Sequence, residues 1–231
     1  MSHLAAKQNC LSSARKGRLS RDTARRSRIS LTALALLAWW SGPSYAIDIV
    51  AIEEHWELSV GEPDASSSAP QVSMVMSHTG NLDGNYFVFT LNHRTDPDYR
   101  AGGMQVQLWS GEDLVYSRNS IHESPLSQTD EVITWVQRTE LVDGSLTFEV
   151  SNGHSDSWGT FGNQGRLRLT MDTTLENLNA YRPAISLEES GVCFAGNRVR
   201  SLVLTKLRWI DSEGNVYELN APIDVDADLD P

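Results

Sequence analysis

The sequence has very little cysteine: its 231 residues contain two, Cys10 and Cys193. Cys10 lies in a segment that we expect to be removed, so the rest of the chain cannot form an internal disulfide. The domain must therefore be stabilised by its hydrophobic core, and about 185 residues suffice for one such core. Cys193 has apolar neighbours and is expected to be a small, unreactive side chain in a buried strand.

A hydrophobic run long enough to span a bilayer, about 18 residues, is also lacking. The apolar segment 29–40 has 12 residues; it follows the basic segment 1–28 and precedes Ser41-Gly42-Pro43 and the small-x-small motif Ser44-Tyr45-Ala46. Basic region, apolar region and cleavage motif in this order are typical of a secretory signal peptide. The sequence predicts that residues 1–46 direct general secretion and are cleaved off. The mature protein would then be secreted, periplasmic or held in the cell envelope, without membrane contact.

Positive charge is scarce after residue 46. Eight of the 19 basic residues and one of the 30 acidic residues precede that point, which leaves 11 basic and 29 acidic residues and a formal charge of −18. Nucleic acid and anionic lipid are repelled by such a surface, so neither is expected as a partner. An extracellular glycan or an envelope protein remains the expected partner.

Helical periodicity is nearly absent, whereas alternation of apolar and polar residues is frequent. The alternating runs predict strands at 71–76, 86–91, 104–109, 131–136, 145–150, 166–171 and 199–209, and a further strand at 216–219. Short polar turns separate the runs, and Asp143-Gly144 favours a two-residue type I′ hairpin. Helical structure is predicted at 173–180 alone, for one or two turns.

About a dozen strands without crossover helices predict an all-β fold. We expect an antiparallel β-sandwich of the jelly-roll or concanavalin-like kind, formed by 47–231 as a single domain. The segment from about 221 to 231 is acidic and is predicted to be a disordered tail.

One loop, residues 151–165, has the composition of a sugar-binding site. Aromatic rings stack on the C–H face of a pyranose, while amides and carboxylates bind its hydroxyl groups. The alternative is that the two aromatic rings cap the core and that the glycines permit the bends. The predicted ligand-binding residues are Trp158, Phe161, His154, Asp156 and Asn163.

Catalysis has weaker support. A glycosidase needs two carboxylates facing each other across a cleft, and the glutamates near predicted strands are Glu53, Glu54, Glu149, Glu188 and Glu189. None lies in a recognisable catalytic motif, and Glu149 is expected on the solvent side of its strand. A small exported polysaccharide hydrolase is therefore the alternative function, and a non-catalytic binding or surface-interaction module is preferred. A structural envelope protein is the third hypothesis.

No cofactor is predicted, although calcium stays open as a ligand. Asp224, Asp226 and Asp228 occupy alternate positions, as in the first half of an EF-hand loop, but the glycine and the final glutamate of that loop are missing. The histidines show no zinc-ligand spacing.

A basic stripe lies within the predicted strand 198–210. Arg198, Arg200, Lys206 and Arg208 could bind an acidic polysaccharide, or they could pair with acidic residues on neighbouring strands, which is the favoured interpretation. Simple alternation would place Val199, Leu207 and Trp209 on one face of this strand and Arg200, Leu202, Leu204 and Arg208 on the other.

Overall fold

The structure is a computed structural model that describes residues 47–62, 70–92, 94–95, 100–101, 103–122, 124, 126, 128–194, 198–220 and 222–225. The predicted signal peptide, residues 1–46, lies outside the described residues, as do Asp226 and Asp228. Among the described residues, no helix is both long and apolar enough to cross a membrane.

Fifteen strands and one short helix follow one another along the described chain. The first seven strands are β1 (Ile49–Val60), β2 (Gln71–Met76), β3 (Asn85–Leu91), β4 (Arg94–Thr95), β5 (Arg100–Ala101), β6 (Met104–Ser110) and β7 (Asp113–Asn119). Then come β8 (Val132–Val142), β9 (Ser145–Ser155), β10 (Gly159–Phe161), β11 (Arg168–Asp172), α1 (Pro183–Glu189), β12 (Gly191–Phe194), β13 (Val199–Asp211), β14 (Val216–Leu219) and β15 (Ile223–Asp224).

Two antiparallel sheets contain nearly all of these strands. Sheet A has eight strands in the order β10-β9-β8-β1-β13-β14, with β11 also paired to β9 and β15 also paired to β13. Sheet B has five strands in the order β12-β2-β3-β6-β7, and β4 and β5 form a separate pair. The prediction of an all-β antiparallel sandwich is confirmed.

The main core lies between the two sheets. Alternate residues of each strand point inward, such as Trp56 and Leu58 from β1 and Phe87 and Phe89 from β3. Trp56 and Trp135 stack across neighbouring strands with ring centroids 6.4 Å apart. A smaller cluster on the other face of sheet B consists of Val75, Tyr86, Val88 and Trp109.

The predicted hairpin at Asp143-Gly144 is present between β8 and β9. Both residues have positive φ, 49° and 74°, which is the conformation that a type I′ turn requires at its two central positions. The turn aligns Leu141 with Leu146, and both side chains are buried in the core.

The short helix was predicted at the wrong position. Residues 173–180 form no helix; instead Leu178 donates its N–H to the carbonyl of Ile49 at 2.7 Å, and Asn179 Oδ1 accepts the N–H of Ile49 at 2.9 Å. These bonds attach the segment to the first strand. The helix α1 begins later, at Pro183, whose fixed φ suits the first helical position.

The simple alternation predicted for the long basic strand also fails. The buried residues of β13 include Val199, Leu202, Leu204 and Leu207, because the register against β1 shifts between His55 and Trp56 and again between Ser59 and Val60. A shift of one residue moves every later side chain to the other face. Near the C terminus, Ile223 and Asp224 pair with β13, so strand pairing extends into the segment predicted as a disordered tail.

Candidate binding cleft

The two aromatic residues of the predicted sugar-binding loop are buried. Trp158 is 8% exposed and Phe161 is 4% exposed, and both belong to the main core. Their rings meet edge to face with centroids 6.2 Å apart. The outcome matches the structural alternative stated for these rings, because neither offers an open face on which a sugar could stack.

The other predicted residues of this loop lie on the surface. His154 stands near the end of β9, Asp156 in the turn after it, and Asn163 in the turn before β11, all three exposed. Asn163 Oδ1 accepts the backbone N–H of Asn152 at 3.1 Å, which holds the turn against β9. The structure therefore separates the predicted set into two core rings and three surface polar groups.

Glycine determines how closely this turn approaches β9. A Cβ at Gly153 would lie 2.2 to 2.5 Å from ring atoms of Phe161, and a Cβ at Gly162 would lie 2.5 Å from the carbonyl oxygen of Val150. Gly162 also has a φ of 93°, which L side chains rarely adopt. The glycines thus allow Phe161 to enter the core directly beneath β9.

A buried carboxylate fixes the start of the same turn. Glu131 is fully buried, and its two oxygens accept hydrogen bonds from the hydroxyl groups of Ser155 and Ser157 and from the backbone N–H of Ser157. A buried carboxylate is tolerated when several donors satisfy it. The buried role of Glu131 was not predicted, because the sequence pattern placed it as the first polar residue of the strand 131–136.

A cleft opens beside the turn, between the chain that follows β7 and the chain that precedes β11. About 280 Å³ of empty space, open solvent included, lies in and in front of it. Its lining consists of Ser120, Ile121, His122, Thr160, Phe161, Gly162, Gln164, Arg166 and Leu167. None of these nine residues is acidic, although the chain after residue 46 has 29 acidic residues.

Both walls of the cleft are fixed by hydrogen bonds. Ser120 Oγ accepts the N–H of Met104 at 3.1 Å and that of His122 at 3.2 Å, which ties one wall to β6. The opposite wall is tied to β9, because Leu167 accepts the N–H of Val150 at 2.9 Å.

Trp158 joins the two walls. Its indole N–H donates to the carbonyl of Ser124 at 2.7 Å, and its ring lies 6.4 Å from that of His122. The residue predicted as a ligand platform thus supports the cleft from behind.

The carboxylates considered for catalysis do not face one another across this cleft. Glu53 and Glu54 are neighbours on β1, so their side chains point to opposite faces: Glu53 away from the core and Glu54 into it. Glu54 is fully buried and accepts hydrogen bonds from Trp56, Tyr181 and Ser186. The pKa of the Glu54 carboxyl is raised above its ordinary value of 4.5, because burial raises it by more than these three donors lower it.

Glu53 belongs to a row of alternating charges across the outer face of sheet A. The row, here called the charge ladder, crosses six neighbouring strands in register and consists of Arg168, Glu149, Arg138, Glu53, Arg208 and Glu218. Arg208 Nη1 lies 2.6 Å from Glu53 Oε2, and Arg138 contacts the other oxygen of Glu53. His55, with Nε2 3.7 Å from Glu53, and these two arginines hold the pKa of Glu53 at about 2 against the partial burial that would raise it.

The basic stripe of β13 is largely paired within the chain, as its favoured interpretation expected. Arg208 binds Glu53 and Glu218, and Arg200 pairs with Asp130. Arg198 is buried and donates to backbone carbonyls of Gly61, Glu62 and Leu126.

No metal site is found within the described residues, where no three His, Cys, Asp or Glu side chains cluster. Asp224, the one candidate calcium ligand that is described, lies in β15, and its Oδ1 accepts the N–H of Leu202 at 3.3 Å.

No family model matches the chain, and no curated protein is significantly similar to it in sequence.

Proposed function

We propose that this chain is an exported, non-catalytic binding module, and that the cleft between Ser120–His122 and Thr160–Leu167 binds a glycan. The observation that carries the proposal is the lining of that cleft, which combines hydrogen-bonding side chains with apolar edges and has no carboxylate among its described residues. Export rests on the signal-like segment 1–46.

The chemistry of the cleft lining suits the hydroxyl groups of a sugar. Ser120 and Thr160 offer hydroxyl groups, and the Gln164 amide can both donate and accept, as sugar hydroxyl groups require. Ile121, which is 52% exposed, supplies an apolar surface against which C–H groups of a sugar can pack.

The arrangement favours binding over hydrolysis. Glycoside hydrolysis by the usual mechanism needs two carboxyl groups flanking the scissile bond. None of the described residues that line the cleft has a carboxyl group, and the adjacent pair Glu53 and Glu54 is divided between a surface ion-pair network and the core. The described lining therefore supports binding of a ligand and offers no carboxylate pair for its hydrolysis.

The test is a glycan-array screen of residues 47–231, comparing the native domain with Gln164→Ala. Gln128→Ala is the matched control, because Gln128 is also exposed and does not line the cleft. Binding that is lost in Gln164→Ala and kept in Gln128→Ala supports the proposal. Absence of binding to every glycan, or equal binding by all three proteins, would refute it.

A further inference from the structure

Three arginines lie together beside the cleft. Arg166 lines it, Arg168 follows two residues later, and the Arg118 guanidinium donates to the backbone carbonyl of Arg168 at 3.3 Å. Arg118 itself precedes the other wall of the cleft, Ser120–His122, by two residues. This group, here called the basic patch, holds three of the 11 lysines and arginines that follow residue 46.

The basic patch differs from the other arginine clusters in its partners. Arg138 and Arg208 share Glu53, and Arg200 pairs with Asp130. Among the described residues, by contrast, no carboxylate forms an ion pair with a member of the basic patch, although Glu149 stands opposite Arg168 in the strand register. The patch therefore keeps its positive charge at a cleft whose described lining contains Arg166 and no acidic residue.

Such a concentration of charge is unexpected in this chain. With a formal charge of −18 after residue 46, most of the surface repels anions, and arginine side chains are readily neutralised by neighbouring acids. Guanidinium groups without a carboxylate partner bind carboxylate or sulfate groups in two-point hydrogen bonds.

We propose that the cleft binds an acidic glycan, whose carboxylate or sulfate group is bound by Arg166 with support from Arg118 and Arg168. This inference rests on the proposed function and adds the class of ligand to it. The hydroxyl groups of the sugar would be bound by Ser120, Thr160 and Gln164, so that both the ring and its charge contribute to recognition.

The test measures binding of residues 47–231 by titration calorimetry to three polysaccharide probes: alginate oligomers, which carry carboxylates; dextran sulfate; and neutral dextran. Each is tested with the native domain, with Arg166→Gln and with Arg200→Gln. The two variants change the net charge equally, but Arg200 is exposed and paired with Asp130 away from the cleft. Circular dichroism and thermal unfolding verify that both variants fold.

We expect at least one acidic probe to bind more tightly than dextran and to lose roughly tenfold in affinity in Arg166→Gln, because a charge-assisted hydrogen bond contributes about 1.5 kcal/mol or more. Arg200→Gln should bind as the native domain does. The two acidic probes separate carboxylate from sulfate recognition.

Three results would overturn the inference. The first is that neither acidic probe binds, and the second is that the two variants bind alike. The third is that single-stranded DNA of equal charge binds as well as the best polysaccharide, which would mean unspecific attraction of polyanions. If neutral glycans bind on the array and Gln164→Ala abolishes that binding, the proposed function survives while the acidic ligand class is rejected. If no glycan binds, both fail.

Discussion

The charge ladder predicts how stability changes at acid pH. Glu53 lies at its centre, with its side chain 11% exposed and its two oxygens shared between Arg138 and Arg208. Its pKa of about 2, against 4.5 for an ordinary glutamate, corresponds to about 3 kcal/mol of folding free energy. Because the unfolded chain takes up the proton near pH 4.5 and the folded chain near pH 2, this contribution is complete above pH 5 and is lost as the pH falls to 2.

The variant Glu53→Gln isolates this contribution, since it removes the charge and keeps the size of the side chain. We expect the free energy of unfolding in urea to fall by about 3 kcal/mol at pH 7. At pH 2 to 2.5 the native glutamate is about half to one-quarter protonated and the unfolded one almost fully so, and the two proteins should therefore differ by less than about 1 kcal/mol. Effects of the many other carboxylates cancel in the difference between the two proteins.

A control and a refuting result follow from the same geometry. Glu218 belongs to the charge ladder but is 43% exposed, so Glu218→Gln should cost no more than about 1 kcal/mol. A loss below 1 kcal/mol for Glu53→Gln at pH 7, or an equal loss at pH 7 and pH 2.5, would show that the arginines do not stabilise the Glu53 carboxylate in the way described.

Substitutions at Glu54, Trp158 and Gly153 test the packing described above, with Trp158→Phe and Gly84→Ala as comparisons. Because the pKa of Glu54 is raised, its contribution to the stability of the native domain falls as the pH rises above 4.5. Glu54→Gln should therefore be more stable relative to the native domain at pH 8 than at pH 4, as unfolding measured at both pH values would show. Trp158→Ala should lower the free energy of unfolding by about 3 to 5 kcal/mol, whereas Trp158→Phe should cost less, as urea titrations would show. Gly153→Ala should lower the thermal midpoint, because its methyl group would overlap the ring of Phe161, while alanine at the open position Gly84 should not.

Much of the fold could be predicted from the sequence because a half-buried strand has a simple pattern. The strands at 71–76 and 216–219 begin and end where alternation placed them. The hairpin at Asp143-Gly144 followed from two residues that tolerate positive φ. These elements could be predicted because they depend mainly on residues that are close together in the sequence.

Prediction failed where distant contacts override the local pattern. The bounds of strand β1 were not predicted, because Glu54 occupies an inward position in it, and a glutamate there breaks the apolar alternation. That position is tolerated because Tyr181 and Ser186, more than 120 residues away, donate to the buried carboxyl group. Nothing near Glu54 in the sequence indicates those donors.

Only part of the candidate site could be predicted, because distant contacts decide the rest of it. The loop 151–165 does adjoin the cleft, and its glycines correctly indicated tight bends. Its aromatic residues, however, were the least suitable binding residues, because a large apolar ring next to a core gains more from burial than from exposure. The other wall, Ser120–His122, carried no motif, and the pairing of Arg118 with Arg168 depends on the approach of two sheet edges.

The partition of arginines between paired and unpaired settings is the strongest link between this fold and a function. In a domain with 29 carboxylates among about 185 residues, an arginine placed on a sheet face acquires an acidic neighbour through strand register, as Arg138 and Arg208 do. The basic patch lies where the edges of β7 and β11 meet, and although strand register places Glu149 opposite Arg168, no described carboxylate forms an ion pair with its three arginines. A negatively charged ligand would supply these arginines with the counter-charge that Glu53 supplies to Arg138 and Arg208. Binding at this position should therefore depend on the charge of the ligand as strongly as on its shape.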